Sequence, residues 1–193
     1  MAVIPEAMRR SFEQAARERA AGGAHALPFD PRLIASFIVT NNIQVGFVAF
    51  ATGIAFGLGT ALVLVQNGLL IGGLAALAGG LGIRLSFWSL ILPHGVIELT
   101  AVFLCGGAGL LLAQALVAPG DFPRREVLVA NGRLAVQLVI GTLPLFAVAA
   151  VIESFFTPAP ADPFIKLAFA ALTAGGLIAY LGSAGREPES PGL

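Results

Sequence analysis

The chain has 193 residues and no formal net charge at pH 7; 57% of its residues are hydrophobic and only 11% are charged. Soluble domains carry about 25% charged residues, and the mean hydropathy of +0.89 points the same way. A soluble enzyme, a disordered tail and a nucleic-acid-binding domain are therefore excluded, since no basic excess exists to hold phosphates. What remains is a polytopic membrane protein. One crossing takes about 20 apolar residues, so the length holds about five or six spans and no second folded domain.

Residues 1–32 form the only long polar segment. Pro5 to Ala21 reads as a short helix with Ile4, Met8, Phe12, Ala15 and Ala16 on one face and interspersed arginines and glutamates elsewhere. Two readings stay open for it: a helix lying on the membrane surface, or a solvated helix leading into the first span. The segment has no continuous apolar core of the kind a cleavable signal peptide needs, and neither end carries a lipidation motif. Gly22-Gly23 and the stretch Pro28 to Pro31 end it.

Leu33 to Gln66 is the first apolar stretch. At 1.5 Å per residue it is too long for one straight crossing of a core about 30 Å thick. It reads as one long helix, broken near Asn41 and Asn42. Asn67-Gly68 reads as a turn into a short second span, Gly68 to Ile83. Arg84 marks a connection. The third span, Phe87 to Val117, is again over-long and is expected to break at Pro93-His94-Gly95. Ala118 to Asn131 is a polar loop. Leu134 to Phe156 is the fourth span, with Pro144 as a kink. Thr157 to Pro163 is a rigid turn, and Phe164 to Leu181 is the fifth span. The expected organisation is a surface segment at 1–32, a transmembrane helical domain at 33–182 and a polar tail at 183–193, all-α throughout.

Small residues recur at every fourth position in three places: Ala49, Gly53, Gly57 and Ala61; Gly68, Gly72, Ala76 and Gly80; Ala101, Cys105, Gly109 and Ala113. Residues four apart share a helix face, and small side chains let membrane helices approach closely. Gly53, Gly57, Gly72 and Gly109 are thus expected at helix packing surfaces, either within one chain or between copies in a homo-oligomer. Cys105, the single cysteine, reads as a small packing residue.

The sharpest chemical feature is Leu92 to Leu99, LPHGVIEL. His94 and Glu98 lie four apart, on one helix face, deep in an apolar stretch. Ionisable groups there face a protein interior or a water-filled cavity. Pro93 removes a backbone donor and Gly95 relaxes the chain, as in the discontinuous helices that build sites at membrane depth. Three readings stay open: a structural hydrogen bond from His94 to Glu98 or to an asparagine of a neighbouring helix, a proton or ion relay, and a metal site that would need a third ligand. Asn41 and Asn42 form a second polar group, either bonding across helices or capping a helix. Arg133 and Glu153 read as side chains snorkelling to the interface, and Trp88 as an interface anchor. No zinc-protease motif, nucleophile elbow or pair of intramembrane aspartates is present, so neither catalysis nor a cofactor is expected.

The ordered runs FIVTNNIQVGFVAFATGIAFGLGT, QNGLLIGG, ILPHGVIELTA and GGAGL resemble the stage II sporulation protein M family of integral membrane proteins, from about Phe37 to Phe156. Asn41-Asn42, Asn67-Gly68, His94, Gly95 and Glu98 stand where the family pattern has them. Gly132-Arg133, Pro144 and Glu153 are similar too. The resemblance implies a multi-pass protein of the cytoplasmic (inner) membrane. In spore formers the family member works with two peptidoglycan-degrading partners at the septum, as their membrane anchor and not as an enzyme; many relatives occur in bacteria that do not sporulate. The expected partners are thus the lipid bilayer and membrane or peptidoglycan-remodelling proteins, with no nucleic acid.

Orientation stays open. Arg9, Arg10, Arg17, Arg19, Arg32 and Arg84 fall on one side of a five-span arrangement, and Arg124, Arg125 and Arg186 on the other, which favours a cytoplasmic amino terminus. Relatives usually carry a further helix before the opening polar segment; either this is a short variant or the true start lies upstream, and a lost helix would place residues 1–32 outside and the Arg124-Arg125 loop inside. The sequence thus supports two functions: a non-enzymatic envelope scaffold, or a small transporter or channel built around His94 and Glu98.

Overall fold

The computed structural model describes residues 31–183 and six upstream positions, Glu6, Arg9, Arg10, Glu13, Gln14 and Arg17; for 31–38 it describes the backbone alone. The upstream positions are helical. Exposed ion pairs at helical spacing join them: Arg9 to Glu6 at 2.9 Å, Arg10 to Glu6 at 3.2 Å and Arg9 to Glu13 at 3.5 Å. The hydrogen bonds from Arg9 and then Arg10 hold the Glu6 carboxyl below its usual range. The apolar face expected around Met8 and Phe12 lies outside the described residues, as does the tail from 184 onward.

Five helices follow: α1 (Pro31–Ala51), α2 (Leu58–Gly80), α3 (Arg84–Val117), α4 (Arg124–Val151) and α5 (Pro163–Ser183). A 3-10 turn, Thr52–Ile54, lies between α1 and α2, and a π turn, Ile152–Phe156, prolongs α4. Four of these, α2, α3, α4 with its π turn, and α5, are long and apolar enough to cross a membrane. In hydrocarbon every backbone donor and acceptor must be satisfied within the segment, which leaves the helix as the form such apolar runs take. The all-α membrane bundle is as the sequence led us to expect.

Three boundaries differ. The first apolar stretch does not break at Asn41-Asn42. It reverses at residues 52–57, where Phe56 and Gly57 adopt left-handed backbone with φ of 55° and 80°. Asn67-Gly68 is not a turn but the middle of α2. That helix instead closes at Gly82, whose φ is 72°. Ile83 N–H bonds to the Ala78 carbonyl at 3.0 Å and Gly82 N–H to Gly79 at 3.2 Å, the Schellman arrangement that glycine favours. Finally, α3 runs unbroken through Pro93 and Gly95. A proline removes one helical hydrogen bond, but a full break at membrane depth would expose several backbone groups, and packed neighbours tolerate the smaller loss. Helix α4 likewise continues through Pro144.

Helix α3 is the axis of the bundle and touches α1, α2, α4, α5 and both short turns. Half of its apolar window is buried, against 6% for α2 and 11% for α5. Side-chain pairings fix the directions. Asn42 meets Glu98 and Gly53 meets Gly109, so α1 runs parallel to α3. Asn131 donates to the Leu111 carbonyl at 2.9 Å and Thr142 lies 3.4 Å from Cys105 Sγ, so α4 runs antiparallel. Leu64 packs on Gly106 and Arg84 on Gly79, so α2 is antiparallel as well. Helix α5 starts at the end where α4 stops. Pro163 opens it, and the Asp162 carboxylate accepts the Phe164 N–H at 2.8 Å, the usual N-terminal cap with proline at the first position.

Two of the three small-residue ladders meet. Ala49, Gly53 and Gly57 are buried, as are Ala101, Cys105, Gly109 and Ala113. A Cβ on Gly53 would collide with the Gly109 carbonyl, and one on Gly109 would lie 2.6 Å from the Ala49 carbonyl oxygen. The Thr60 hydroxyl donates to that same carbonyl at 2.6 Å. The backbones of α1 and α3 thus cross in direct contact. The α2 ladder behaves otherwise: Gly68, Gly72, Ala76 and Gly80 are all exposed, and a Cβ on any of the three glycines would meet nothing within 4 Å. Gly72 is therefore no packing residue within this chain.

Candidate functional site

The site lies at the end of the bundle where α3 and α5 begin and α4 stops. Its first layer comes from three helices. His94 on α3, Glu153 and Thr157 at the end of α4, and Lys166 in the first turns of α5 are 6%, 5%, 8% and 5% exposed. Residues of such charge are buried only where they have partners. His94 Nδ1 lies 2.6 Å from Glu153 Oε2 and 3.2 Å from the Thr157 hydroxyl. Lys166 Nζ donates to the Thr157 carbonyl at 2.6 Å.

The second layer is one helical turn deeper. Glu98, 4% exposed, accepts a hydrogen bond from Asn42 Nδ2 on α1 at 2.7 Å. Asn41 Nδ2 in turn approaches Asn42 Oδ1 at 3.3 Å, which orients the Asn42 amide with its donor toward the carboxylate. Beyond Glu98 the helix face becomes apolar and closed: Ala101, Val102, Cys105 and Ala108 are at most 1% exposed.

Local backbone builds the first layer. In the π turn the Thr157 N–H bonds to the Ile152 carbonyl at 2.9 Å, one residue further back than in an α-helix. The wider turn lets Glu153 face α3, while the Thr157 carbonyl, past the helix end, is left for Lys166. Such π bulges occur frequently at functional sites. Pro93, directly before His94, is buried, so a second backbone irregularity sits at the same level on the facing helix.

His94, Glu98, Asn41 and Asn42 are thus brought together, but not as a His94–Glu98 hydrogen bond. Each of the two α3 residues is bound by a different helix. Glu153 does not snorkel; it is buried against His94. Lys166 and Thr157 carried no role in the sequence reading. One signal pointed to Lys166: it is the only charged residue in α5, the situation in which an interior partner is expected. Asn67, half-buried in mid-α2, makes none of the site's hydrogen bonds. Arg133 is exposed, and Trp88 stacks edge-on against Phe87 at 5.1 Å. Among the described residues no group of three or more His, Cys, Asp or Glu side chains is set to hold a metal ion.

Comparison with known proteins gives a family match and one distant relative. The family described as Stage II sporulation protein M matches residues 5–158. An uncharacterized protein of the archaeon Methanocaldococcus jannaschii is 29% identical over 126 residues, covering 63% of this chain and 69% of the relative. No solved structure matches the chain.

Proposed function

The chain belongs to the stage II sporulation protein M family, and from that premise we propose that it is a non-catalytic scaffold of the cytoplasmic membrane that holds peptidoglycan-remodelling membrane proteins. The observation that carries this reading is the outer face of α2. Of this whole helix only Thr60 and Ala78 are buried, and the ladder Gly68, Gly72, Ala76, Gly80 stands open along it. Hydrocarbon gives no hydrophobic drive for helix association, so close approach over small residues is what membrane partners use. The rest of the bundle supports the role: α1, α3 and α4 lock together and present α2 as a fixed surface. The exposed first turn of α4, with Arg124 and Arg125, adds a polar contact beside the α3–α4 loop. Affinity purification from native membranes tests the reading. Wild type should retain a near-stoichiometric envelope partner, and Gly72→Leu should lose it while remaining folded. Equal retention by both overturns it.

A second reading, a small transporter or channel with Glu98 as ion or proton site and His94 beside it, is favoured by the two-layered polar cluster. It requires that Glu98→Gln abolish a measurable flux in proteoliposomes; unchanged flux removes it.

A further inference from the structure

We propose that His94 Nε2 anchors a binding site for a primary ammonium group, at the end of the bundle where α4 stops and α5 begins. This goes beyond the scaffold reading and does not depend on the α2 surface.

A neutral imidazole carries one N–H and one acceptor nitrogen, and the bond made by one nitrogen sets the role of the other. Glu153 Oε2 lies 2.6 Å from His94 Nδ1, and the Thr157 hydroxyl 3.2 Å from the same atom. The ring proton therefore belongs on Nδ1, facing the carboxylate, and Nε2 keeps its lone pair. Among the described residues Nε2 has no partner, on a side chain that belongs to a residue only 6% exposed. A buried acceptor without a donor is costly. Yet Nε2 is not sealed in. No fully enclosed side-chain nitrogen among the described residues lacks a partner, so a group the size of water touches this atom.

Access comes from the unequal reach of the helices. Glu153 lies in the π turn that ends at Phe156, and its contact sets the end of α4 level with His94. Helix α3 begins at Arg84, ten residues before His94, and so overhangs that end by about 15 Å. Leu90 stands one turn nearer the start of α3, on the same face as His94, and is 41% exposed. The face is thus uncovered just beyond His94, and the turn beneath it carries the exposed Pro158, Pro160 and Asp162. In the other direction Ala101, Val102 and Cys105, at most 1% exposed, close the path.

The ligand follows from what the cluster lacks. Its carboxyl groups are Glu98 and Glu153; its ammonium is Lys166, which donates to the Thr157 carbonyl. Asn42 on α1 is neutral and already donates to Glu98, and α2 contains no ionisable residue. In formal charges one negative is left over, and a buried charge without a partner is destabilising. A primary ammonium group supplies both a positive charge and an N–H for Nε2. Water brings the donor without the charge, and a quaternary ammonium the charge without the donor. A metal ion needs more ligands: among the described residues no group of three or more His, Cys, Asp or Glu side chains is set to hold one. The ammonium group comes either from a free ion in water or from the headgroup of an amino lipid in the leaflet at that end.

Nitrogen-15 spectra of the full chain, labelled at its two histidines and held at one pH in phosphatidylcholine liposomes, test the proposal. Before any addition His94 should show a protonated Nδ1 and an unprotonated Nε2. Methylammonium should then shift the Nε2 signal in a saturable way and leave His25 unmoved; tetramethylammonium and sodium should not shift it. Phosphatidylethanolamine liposomes without methylammonium distinguish the sources: a shift already present identifies the lipid, and its absence the free ion. Glu98→Gln, which keeps the acceptor for Asn42, should raise the half-saturating methylammonium concentration about tenfold or more. The site is overturned by a protonated Nε2 at the outset, by no shift with methylammonium or phosphatidylethanolamine, by an equal shift with tetramethylammonium, or by unchanged half-saturation in Glu98→Gln.

Discussion

Glu153 lies 2.6 Å from His94 although the two residues are 59 positions apart and sit on different helices. That contact joins the end of α4 to the first half of α3, and Lys166 extends it to α5 through the Thr157 carbonyl. Three membrane helices are thus tied at one end by buried polar contacts, while the opposite half of the bundle is held by backbone contact between small residues.

The buried contact predicts coupling between its members. Removing one partner of a buried hydrogen-bonded pair leaves the other unsatisfied and costs about 1–3 kcal/mol. His94→Ala and Glu153→Ala should each lower unfolding stability in detergent by about that amount. The double variant should cost clearly less than their sum. Additive losses would show that the 2.6 Å contact carries no coupling.

The Asn42–Glu98 bond should respond differently to its two ends. Glu98→Gln keeps an acceptor for Asn42 Nδ2 and should leave the fold intact. Asn42→Leu removes the donor to a buried carboxylate and should cost about 1–3 kcal/mol. Chemical denaturation of both variants separates the cases, and equal losses would contradict the bond as described.

The small-residue ladders predict opposite outcomes for chemically equal changes. Gly109→Ala puts a methyl against the Ala49 carbonyl and the Thr60 hydroxyl; overpacking of this kind costs about 1–3 kcal/mol. Gly72→Ala meets nothing and should not destabilise the isolated protein. Paired thermal melts decide it.

The α5 cap makes a smaller prediction. Asp162→Ala removes the acceptor for the Phe164 N–H, and loss of such a cap costs about 1 kcal/mol. Hydrogen exchange should show the first turn of α5 fraying in the variant, with the bundle end around Gly109 unchanged. Protection equal to wild type at Phe164 would contradict the capping role.

Much of this architecture was legible in the residues themselves. Apolar runs gave the membrane bundle, because length and hydropathy are set by the bilayer alone. His94, Glu98 and the asparagines stood out because ionisable and amide groups are rare inside apolar runs. The turn positions were less legible: Asn-Gly reads as a turn in water, yet in hydrocarbon the helix continues through it, and the chain reverses at Phe56-Gly57. Pro93 misled for the same reason. Glu153 was misassigned because nearness to a helix end suggests snorkelling; only the π turn, which has no sequence periodicity of its own, aims it inward. The ladders were visible as ladders, but a four-residue repeat is the same whether its partner lies in the chain or outside it.

The open α2 repeat is the surface on which a scaffold partner would sit. A photo-crosslinking residue placed at Gly72 in native membranes, beside a control at the lipid-facing Ile140 on α4, tests it directly. The scaffold reading predicts an adduct between position 72 and a membrane-anchored peptidoglycan-remodelling protein, absent at position 140. Adducts of the chain with itself alone, or the same adducts from both positions, would contradict it.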